Sequence, residues 1–272
     1  MNILQEIAEK RKLAVEKRKR QVPFPVVKEE AEAIAKAEIE QNGTFPYPFY
    51  QNLKREGMNF ICEVKKASPS KGIISQEFPY LEKAMEYEEA GASAISVLTE
   101  PEYFLGKDEY LKEISRKVKI PTLRKDFVID AYQIYEAKLL GASAVLLICM
   151  LLEDDRLKEY IEICHTLGLS ALVETHDEEE VKRAIRAGAT IIGVNNRNLK
   201  DFTVDLQTSV RLRKLVPEEI VFISESGIKQ AEDIALLREH HVNGVLIGET
   251  LMRSGNVKDA LRELAGEELG EN

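Results

Sequence analysis

Residues 141–148, Gly141-Ala-Ser-Ala-Val-Leu-Leu-Ile148, join a turn to an apolar run, and this junction decides the fold. Similar phrases recur as Gly91-Ala-Ser-Ala and Gly188-Ala-Thr-Ile, each after a helical pattern and before another apolar run. Glycine is the residue that most readily adopts the left-handed conformation at the end of a helix. The three phrases therefore indicate turns from a helix into a strand.

The same alternation of strand and helix extends over most of the chain. Short apolar runs occupy residues 60–64, 94–98, 121–124, 144–148, 171–173, 191–194, 221–223 and 244–247. Helical patterns lie near residues 80–90, 107–118, 130–140, 154–167, 177–187, 205–214, 229–239 and 256–265. Strands that alternate with helices indicate a parallel sheet, because parallel neighbours need a crossover. Eight units in about 210 residues predict an α/β protein with a (β/α)8 TIM barrel. A doubly wound open sheet is the alternative, but no GxGxxG motif follows the first run.

The first 55 residues lie outside this repeat. Residues 1–20 have the spacing of an amphipathic helix, which Val22-Pro-Phe-Pro ends, and a second helix is expected near residues 28–40. The segment 45–50 is rich in proline and aromatic residues, so neither a helix nor a central strand is expected there. We predict a helical extension, residues 1–55, that caps a catalytic barrel of residues 56–272 within one domain.

The composition argues against several classes of function. The net charge is −9, from 47 acidic and 38 basic residues, whereas nucleic-acid surfaces need clustered Lys and Arg. No run approaches the ~18 apolar residues of a membrane span, and residues 1–20 lack the apolar centre of a signal peptide. We therefore expect a cytoplasmic protein without membrane contact. The cysteines, Cys62, Cys149 and Cys164, have no CxxC spacing and indicate neither a disulfide framework nor a metal site.

Charged residues at the ends of the runs are predicted to meet inside the barrel. Side chains alternate along a strand, and the active sites of such barrels lie at the carboxyl ends of the strands. If the apolar set that contains Cys62 faces the helices, Glu63 and Lys65 point into the mouth of the barrel. The same count directs four residues from later strand ends inward: Lys125, Glu174, Asn195 and Glu225.

These charges could instead form a structural ring of ion pairs. Burying several charges is costly unless they pair well, so a ring that only stabilised the barrel would be a poor solution. The convergence of lysines, carboxylates and an amide therefore favours a catalytic site.

Two loops late in the chain have the pattern of a phosphate site. They are Ser224-Glu-Ser-Gly-Ile228 and Gly248-Glu-Thr-Leu251, after the seventh and eighth runs. In many barrels, backbone N–H groups at these loops and the positive end of a short helix bind an anion. The segment Ser68-Pro-Ser-Lys-Gly72 is expected to be a mobile loop that closes over the same phosphate. Ordinary turns are the alternative for these features.

The four histidines show no metal-ligand spacing. We expect structural places for them, at the surface or at helix ends: His165, His176, His240 and His241.

Five motifs together resemble those of the indole-3-glycerol-phosphate synthase family. They are Glu63-Val-Lys-Lys-Ala-Ser-Pro-Ser-Lys-Gly72, Leu123-Arg-Lys-Asp-Phe127, Leu172-Val-Glu-Thr175, Gly193-Val-Asn-Asn-Arg-Asn-Leu199 and Ser224-Glu-Ser-Gly-Ile228. The motifs follow one another in the family's order, each at a predicted strand end. The resemblance extends over nearly the whole chain. The resemblance implies a (β/α)8 barrel and a lyase of tryptophan biosynthesis. Such a lyase converts 1-(2-carboxyphenylamino)-1-deoxyribulose 5-phosphate to indole-3-glycerol phosphate, carbon dioxide and water without a metal or organic cofactor.

The resemblance also implies a role for each residue of the predicted site. Lys125 corresponds to the general acid and Glu174 to the general base. Glu63 and Asn195 correspond to residues that orient substrate hydroxyls, and Lys65 to one that contacts the substrate carboxylate and can donate a proton. The residues implied at the phosphate are Ser68, Ser226, Gly227, Gly248 and Glu249, and further pocket residues are Arg197 and Glu225. Some relatives have Ser in place of Glu249, so the resemblance leaves the role of that side chain open.

Two other functions fit parts of the pattern. A phosphoribosyl isomerase would share the phosphate loops, but it is expected to carry Asp or Cys at the strand ends, where this sequence has Lys and Glu. A sugar-phosphate sensor would need only the phosphate loops, and Lys125 and Glu174 argue against it. We expect a small sugar phosphate as the partner, no nucleic acid, and a monomer, with a weak homodimer as the alternative.

Overall fold

Eight parallel strands form a closed barrel in the computed structural model, which describes residues 3–198 and 201–266. The strands are β1 Asn59–Val64, β2 Ala94–Leu98, β3 Thr122–Lys125, β4 Ala144–Ile148, β5 Ser170–Thr175, β6 Ile191–Asn195, β7 Val221–Glu225 and β8 Gly244–Ile247. Each strand pairs with its neighbours in this series, and the barrel closes where Ile61 of β1 pairs with Leu246 of β8. The (β/α)8 barrel is confirmed.

Helices precede the barrel and alternate with its strands. They are α1 Ile3–Gln21, α2 Phe24–Asn42, α3 Pro48–Leu53, α4 Tyr80–Glu89, α5 Asp108–Lys117, α6 Ala131–Leu139, α7 Asp154–Thr166, α8 Glu178–Arg186, α9 Gln207–Arg213, α10 Ala231–Glu239, α11 Glu249–Met252 and α12 Val257–Ala265. Gly91, Gly141 and Gly188 follow helices with φ of 90°, 83° and 87°, which confirms the predicted left-handed turns. Within the described part of the chain, no helix combines the length and apolar character that a bilayer span requires.

The strands separate two apolar layers. The inner layer fills the barrel and includes Ile61, Leu123 and Leu172. The outer layer lies between strands and helices and includes Cys62 and Val173. The predicted alternation is therefore confirmed, and residues that continue the inner series past the apolar layer point into the mouth of the barrel.

The first helices contact the barrel at different places. Leu4 and Ile7 of α1 are buried, and Arg11 Nη2 donates to Asp126 Oδ2 at 2.8 Å just beyond the end of β3. Helix α2 packs along α6, where Lys138 Nζ donates to Glu38 Oε2 at 2.6 Å. Helix α1 therefore lies at the carboxyl ends of the strands, and α2 lies on the outer wall.

The segment 45–50 contradicts its prediction, because helix α3 begins inside it at Pro48. Proline is tolerated in the first turn of a helix, where its missing N–H would have no intrahelical partner. Phe49 and Leu53 are fully buried in the inner layer, and Asn59 Nδ2 donates to the Leu53 carbonyl at 3.1 Å. Helix α3 thus covers the amino ends of the strands.

Candidate active site

A cavity of about 860 Å³ opens at the carboxyl ends of the strands. Its wall contains every residue that the sequence predicted for the site: Glu63, Lys65, Ser68, Lys125, Glu174, Asn195, Arg197, Glu225, Ser226, Gly227, Gly248 and Glu249. The closed sheet brings them together because all carboxyl ends of a parallel barrel lie on one face.

Lys125, at the end of β3, is the central charge of this cavity. Its Nζ donates to Glu225 Oε2 at 2.6 Å and to Glu174 Oε2 at 3.2 Å. Burial would lower the pKa of Lys125, but the charges of Glu225 and Glu174 outweigh it and raise the pKa above its ordinary value. The lysine is therefore an ammonium ion held between two carboxyl groups.

Those two carboxyl groups lie in different surroundings. Burial would raise the pKa of Glu174, but Lys125 and His176 outweigh it and hold the pKa well below its usual range. The pKa of Glu225 is raised to about 7. Burial is the largest cause and the charge of Glu174 also raises the pKa, whereas the Lys125 ammonium lowers it. Glu225 Oε1 is buried and has no hydrogen-bond partner among the described residues. Glu174 is thus ionised, whereas Glu225 changes charge near neutral pH.

A second ion pair lies at the end of β1. Lys65 Nζ donates to Glu63 Oε1, and both side chains are largely buried. A Cβ atom on Gly248 would come within 2.5 Å of Glu63 Oε1 and 3.1 Å of Lys65 Nζ. The loop after β8 can therefore approach this pair only because residue 248 has no side chain.

Asn195 links Glu174 to the loop after β7. Its Nδ2 lies 3.4 Å from Glu174 Oε1, and its Oδ1 accepts from Ser226 Oγ at 3.0 Å and from the Arg197 backbone N–H at 3.1 Å. The amide thus has defined partners on both its nitrogen and its oxygen. Its orientation is fixed before a substrate enters.

The loops after β7 and β8 lie against each other. Ser226 and Gly227 have φ of 67° and 91°, and Thr250 Oγ1 donates to the Ile228 carbonyl at 3.1 Å. Glu249 lies 3.5 Å from Lys71 Nζ, so the loop after β8 also contacts the segment after β1. That segment is a short hairpin, in which Ala67–Ser68 pairs with Gly72–Ile73.

Comparison with known proteins identifies the family. A family model described as indole-3-glycerol phosphate synthase matches residues 4–264. The chain belongs to this family. An indole-3-glycerol phosphate synthase from Ruminiclostridium cellulolyticum is 57% identical over 97% of this chain and 99% of its own length. One from Endomicrobium trichonymphae is 55% identical over 96% of this chain and 99% of its own length.

A solved structure adds evidence on the fold alone. The thiamine phosphate pyrophosphorylase from Pyrococcus furiosus superposes with a TM-score of 0.59 at 18% identity, over 80% of this chain and 96% of its own. At that identity the likeness supports the barrel, whereas the assignment to the synthase family rests on the sequence matches.

In this member of the synthase family, the cavity also has an apolar wall that sequence reasoning did not identify. It is lined by Ile3, Leu4, Ile7, Leu98, Phe104, Phe127, Leu146, Ile148 and Leu246. Helix α1 supplies the first three, and inward positions of the strands supply others. The inward count could have found the strand residues, but no local pattern indicates where α1 lies.

Two charged contacts of the synthase cavity were also missed. Arg11 of α1 reaches Asp126, a pairing across 115 residues that no spacing rule indicates. His176 was expected at the surface or a helix end. It does precede α8, but only 11% of its side chain is exposed and its ring faces Glu174. The inward count, continued from Glu174 by two residues, would have indicated this.

The described residues of the synthase contain no group of three or more His, Cys, Asp or Glu side chains arranged to hold a metal ion. The charges around the cavity instead pair with one another, as lysine with glutamate and as histidine with glutamate.

Proposed function

We propose that this cavity carries out the family's reaction with Lys125 as general acid and Glu174 as general base. Membership of the family makes the chain a decarboxylating lyase of tryptophan biosynthesis that acts on a small phosphorylated molecule. The reaction converts 1-(2-carboxyphenylamino)-1-deoxyribulose 5-phosphate to indole-3-glycerol phosphate, carbon dioxide and water. The observation that carries the assignment is the position of Lys125 Nζ, within 3.2 Å of Glu174 and facing the cavity.

Ring closure requires an acid. The aryl carbon that bears the carboxylate attacks the C2 carbonyl, and the electron pair of that carbonyl moves onto its oxygen. The Lys125 ammonium stabilises the developing alkoxide and transfers a proton to it, which gives a C2 hydroxyl. The carbon–carboxylate bond then breaks, carbon dioxide leaves, and its electron pair restores the aromatic ring.

The late step requires an acid and a base together. The C2 hydroxyl accepts a proton and leaves as water, and a proton is lost from C1 to form the indole double bond. Glu174 accepts that proton, because it is an ionised carboxylate at neutral pH. Lys65 and Lys125 both line the cavity. The proton for the leaving water comes from Lys65, or from Lys125 after it has regained the proton that it gave in ring closure.

The remaining residues bind and orient the substrate. Glu63 and Asn195 accept and donate hydrogen bonds to the substrate hydroxyls, and Lys65 contacts the substrate carboxylate. Ser68, Ser226, Gly227, Gly248 and Glu249 surround the phosphate, and Arg197 and Glu225 complete the pocket. The contact between Lys71 and Glu249 supports closure of the hairpin over this end of the cavity, because it joins the two segments.

The extension, residues 1–55, acts as a cap on the catalytic barrel of residues 56–272. Its support is the apolar wall that Leu4 and Ile7 add to the cavity. We further propose that the enzyme works in the cytoplasm as a monomer, with a weak homodimer as the alternative. The three free, buried cysteines suit a reducing compartment.

The test combines the natural substrate with two variants. The purified chain mixed with the carboxyphenylamino-deoxyribulose phosphate should develop indole fluorescence. Glu174→Gln keeps the size of the side chain and should lower kcat by about 10²- to 10⁴-fold with KM nearly unchanged. Glu136→Gln is the matched control, because Glu136 is also buried beside a cation but lies outside the cavity. Near-parental kcat in Glu174→Gln would remove Glu174 from the mechanism.

A further inference from the structure

His176 stands directly behind the proposed base. It follows β5 two residues after Glu174, so its side chain continues the inward series. Its Nε2 lies 3.4 Å from Glu174 Oε1, on the opposite carboxylate oxygen from the one that Lys125 contacts. None of the five motifs that carry the family resemblance includes His176. The proposed mechanism assigns no role to His176.

The other side of the imidazole ring is anchored to helix α8. His176 Nδ1 lies 3.0 Å from Glu180 Oε2, and the His176 backbone N–H donates to the same oxygen at 2.9 Å. Glu180 is itself buried, and its backbone N–H donates to the side chain of Asp177, the residue that caps α8, at 2.9 Å. The ring is therefore fixed by the start of a helix and not by solvent.

We propose that His176 is a positioning residue that, as an imidazolium ion anchored by Glu180, keeps Glu174 ionised and fixed in place. The proposal rests on the proposed function, since it assumes that Glu174 is the base. In this arrangement two cations contact Glu174, Lys125 on one oxygen and His176 on the other. The proton needed for ring closure then stays on Lys125 and does not pass to Glu174 before the substrate reacts.

The surrounding charges agree with a charged ring. Burial would lower the pKa of His176, but Glu174 and Glu180 outweigh it and raise the pKa to about 10. The imidazolium is therefore present throughout the neutral range and is lost only as the pH rises towards 10. Three side chains face Glu174: Lys125 at the end of β3, His176 just after β5 and Asn195 at the end of β6. Glu225 lies on the far side of Lys125. With Glu225 protonated, these side chains and the nearby ion pair at the end of β1 contain equal numbers of cations and anions, in three pairs: Lys65 with Glu63, Lys125 with Glu174, and His176 with Glu180.

The first test uses the unaltered protein. The pH titration of its four histidine side chains by NMR assigns His176 through the signal lost in His176→Asn. We expect His176 to remain protonated above pH 8, whereas burial lowers the pKa of His165. A His176 signal that titrates at the ordinary imidazole pKa of about 6.5 would overturn the proposal. If His176→Asn does not fold, His165→Asn, His240→Asn and His241→Asn assign the same signal by elimination.

The second test measures catalysis in variants. His176→Asn removes the cation, and the acid limb of the kcat profile should move upward by about 1 to 3 pH units because Glu174 loses a stabilising charge. At neutral pH Glu174 stays ionised but loses a contact that holds it in place, so we expect kcat to fall by roughly 10-fold. KM should change little, because the residues proposed at the phosphate are untouched. His176→Lys, which keeps a cation, should recover much of the loss. Glu180→Gln should shift the profile in the same direction by less.

The controls separate this proposal from the proposed function. His165→Asn alters a partly buried histidine of α7 that does not line the cavity, and it should leave the profile unchanged. If Glu174→Gln is inactive but His176→Asn keeps the parental kcat and acid limb, the role of His176 is wrong and that of Glu174 stands. If Glu174→Gln is active, the proposed function fails first. Should His176→Asn be unfolded, Glu180→Gln and the titration of the unaltered protein decide the question.

Discussion

Arg124 and Lys125 are consecutive residues of β3, and they contact two different groups of charges on opposite sides of the sheet. Arg124 faces the helices and is fully buried. Its guanidinium donates to Asp108 at 2.8 Å, to Glu136 at 2.7 Å and to the Gln133 carbonyl at 2.8 Å. Lys125 faces the cavity and contacts two carboxyl groups there.

The two clusters differ in how completely their polar atoms are paired. Around Arg124, Arg11 and Arg18 of α1 add further ion pairs with Asp126 and Glu136, and the carboxylate oxygens all have partners, although Arg11 Nε on α1 has none among the described residues. Around Lys125, Glu225 Oε1 is buried without a hydrogen-bond partner in the described part of the chain. A cluster whose carboxylates are all paired stabilises one conformation, whereas a cluster at a cavity with an unused acceptor can still bind a ligand. The comparison therefore separates a structural network from the one that we propose for catalysis.

The largest expected effect is on catalysis at Lys125. Lys125→Met should lower kcat by about 10²- to 10⁴-fold, or roughly 3 to 5 kcal/mol of barrier, because it removes the proposed acid for ring closure. Near pH 6 stability should fall less than in Arg124→Met, since Glu225 can take up a proton and Glu174 keeps its contact with His176. Single-turnover rates and urea unfolding measure the two quantities.

A matched control exists for this substitution. Lys138→Met removes another largely buried lysine from its ion pair with Glu38 on the outer wall, and its kcat should stay near the parental value. An equal loss of kcat in both variants would show that Lys125 acts through the fold and not through the reaction.

The next effect concerns stability at Arg124. Arg124→Met leaves Asp108 and Glu136 with fewer cations, so the free energy of unfolding should fall by about 3 to 5 kcal/mol. The kcat of the folded fraction should change far less than in Lys125→Met. Arg186→Met, which breaks an exposed pair with Glu179, should cost less than about 1 kcal/mol. Equal stability of the two arginine variants would contradict the structural assignment.

Glu225 gives the third prediction, through pH. Its pKa rises from 4.5 to about 7 on folding, so the folded protein binds this proton more tightly and loses stability as the pH rises from about 4.5 through 7. Glu225→Gln imitates the protonated acid. Relative to the parent, it should gain on the order of 1 to 3 kcal/mol between pH 5 and pH 8. Urea unfolding at both pH values measures this difference. The exposed Glu219→Gln should show no such change, and a pH-independent gain at Glu225 would count against its shifted pKa.

The smallest effect is expected at Arg11, where the structural cluster meets the cavity wall. Arg11→Met should cost about 1 to 2 kcal/mol of stability, because Asp126 keeps its bonds to the Thr99 hydroxyl and the Phe127 N–H. Loosening of α1 should raise KM more than it lowers kcat, since α1 supplies apolar wall and no proposed proton-transfer group. Steady-state kinetics checks this, with Lys12→Met, an exposed change on the same helix, as the control. A selective loss of kcat would contradict it.

The barrel and its inward charges could be predicted from the sequence because both follow from patterns that repeat over short distances. These are the alternation of strands with helices and the alternation of side chains along a strand. Alternation along a strand places Glu63 and Glu174 inward once the apolar face is identified, and the structure confirms that placement. The position of α1 could not be predicted in this way. Its contacts with Asp126 and with the apolar wall join residues more than 100 positions apart, and no periodic pattern encodes such a distance.

Smaller errors have local causes. Helix α3 was missed because prolines at 46 and 48 argue against a helix, although Pro48 stands in the first turn, where it is compatible with one. His176 was placed among structural residues because its spacing fits no metal site. The positive charge of its ring is stabilised by Glu174 and Glu180 together. Only the folded barrel brings these two carboxylates to the same ring.

The pairing of β1 with β8 has a consequence for how the chain emerges from the ribosome. Strand β1 cannot pair with β8 until the ribosome has synthesised the chain as far as Ile247. At about 5 to 20 residues per second, the roughly 180 residues between the two strands take about 10 to 40 seconds to synthesise. During that interval one edge of β1 is unpaired. Helix α3, made just before β1, already offers Phe49 and Leu53 to the inner side chains. A nascent chain that lacks this helix would expose those side chains for the whole interval, so losses of α3 should appear first as aggregation during synthesis.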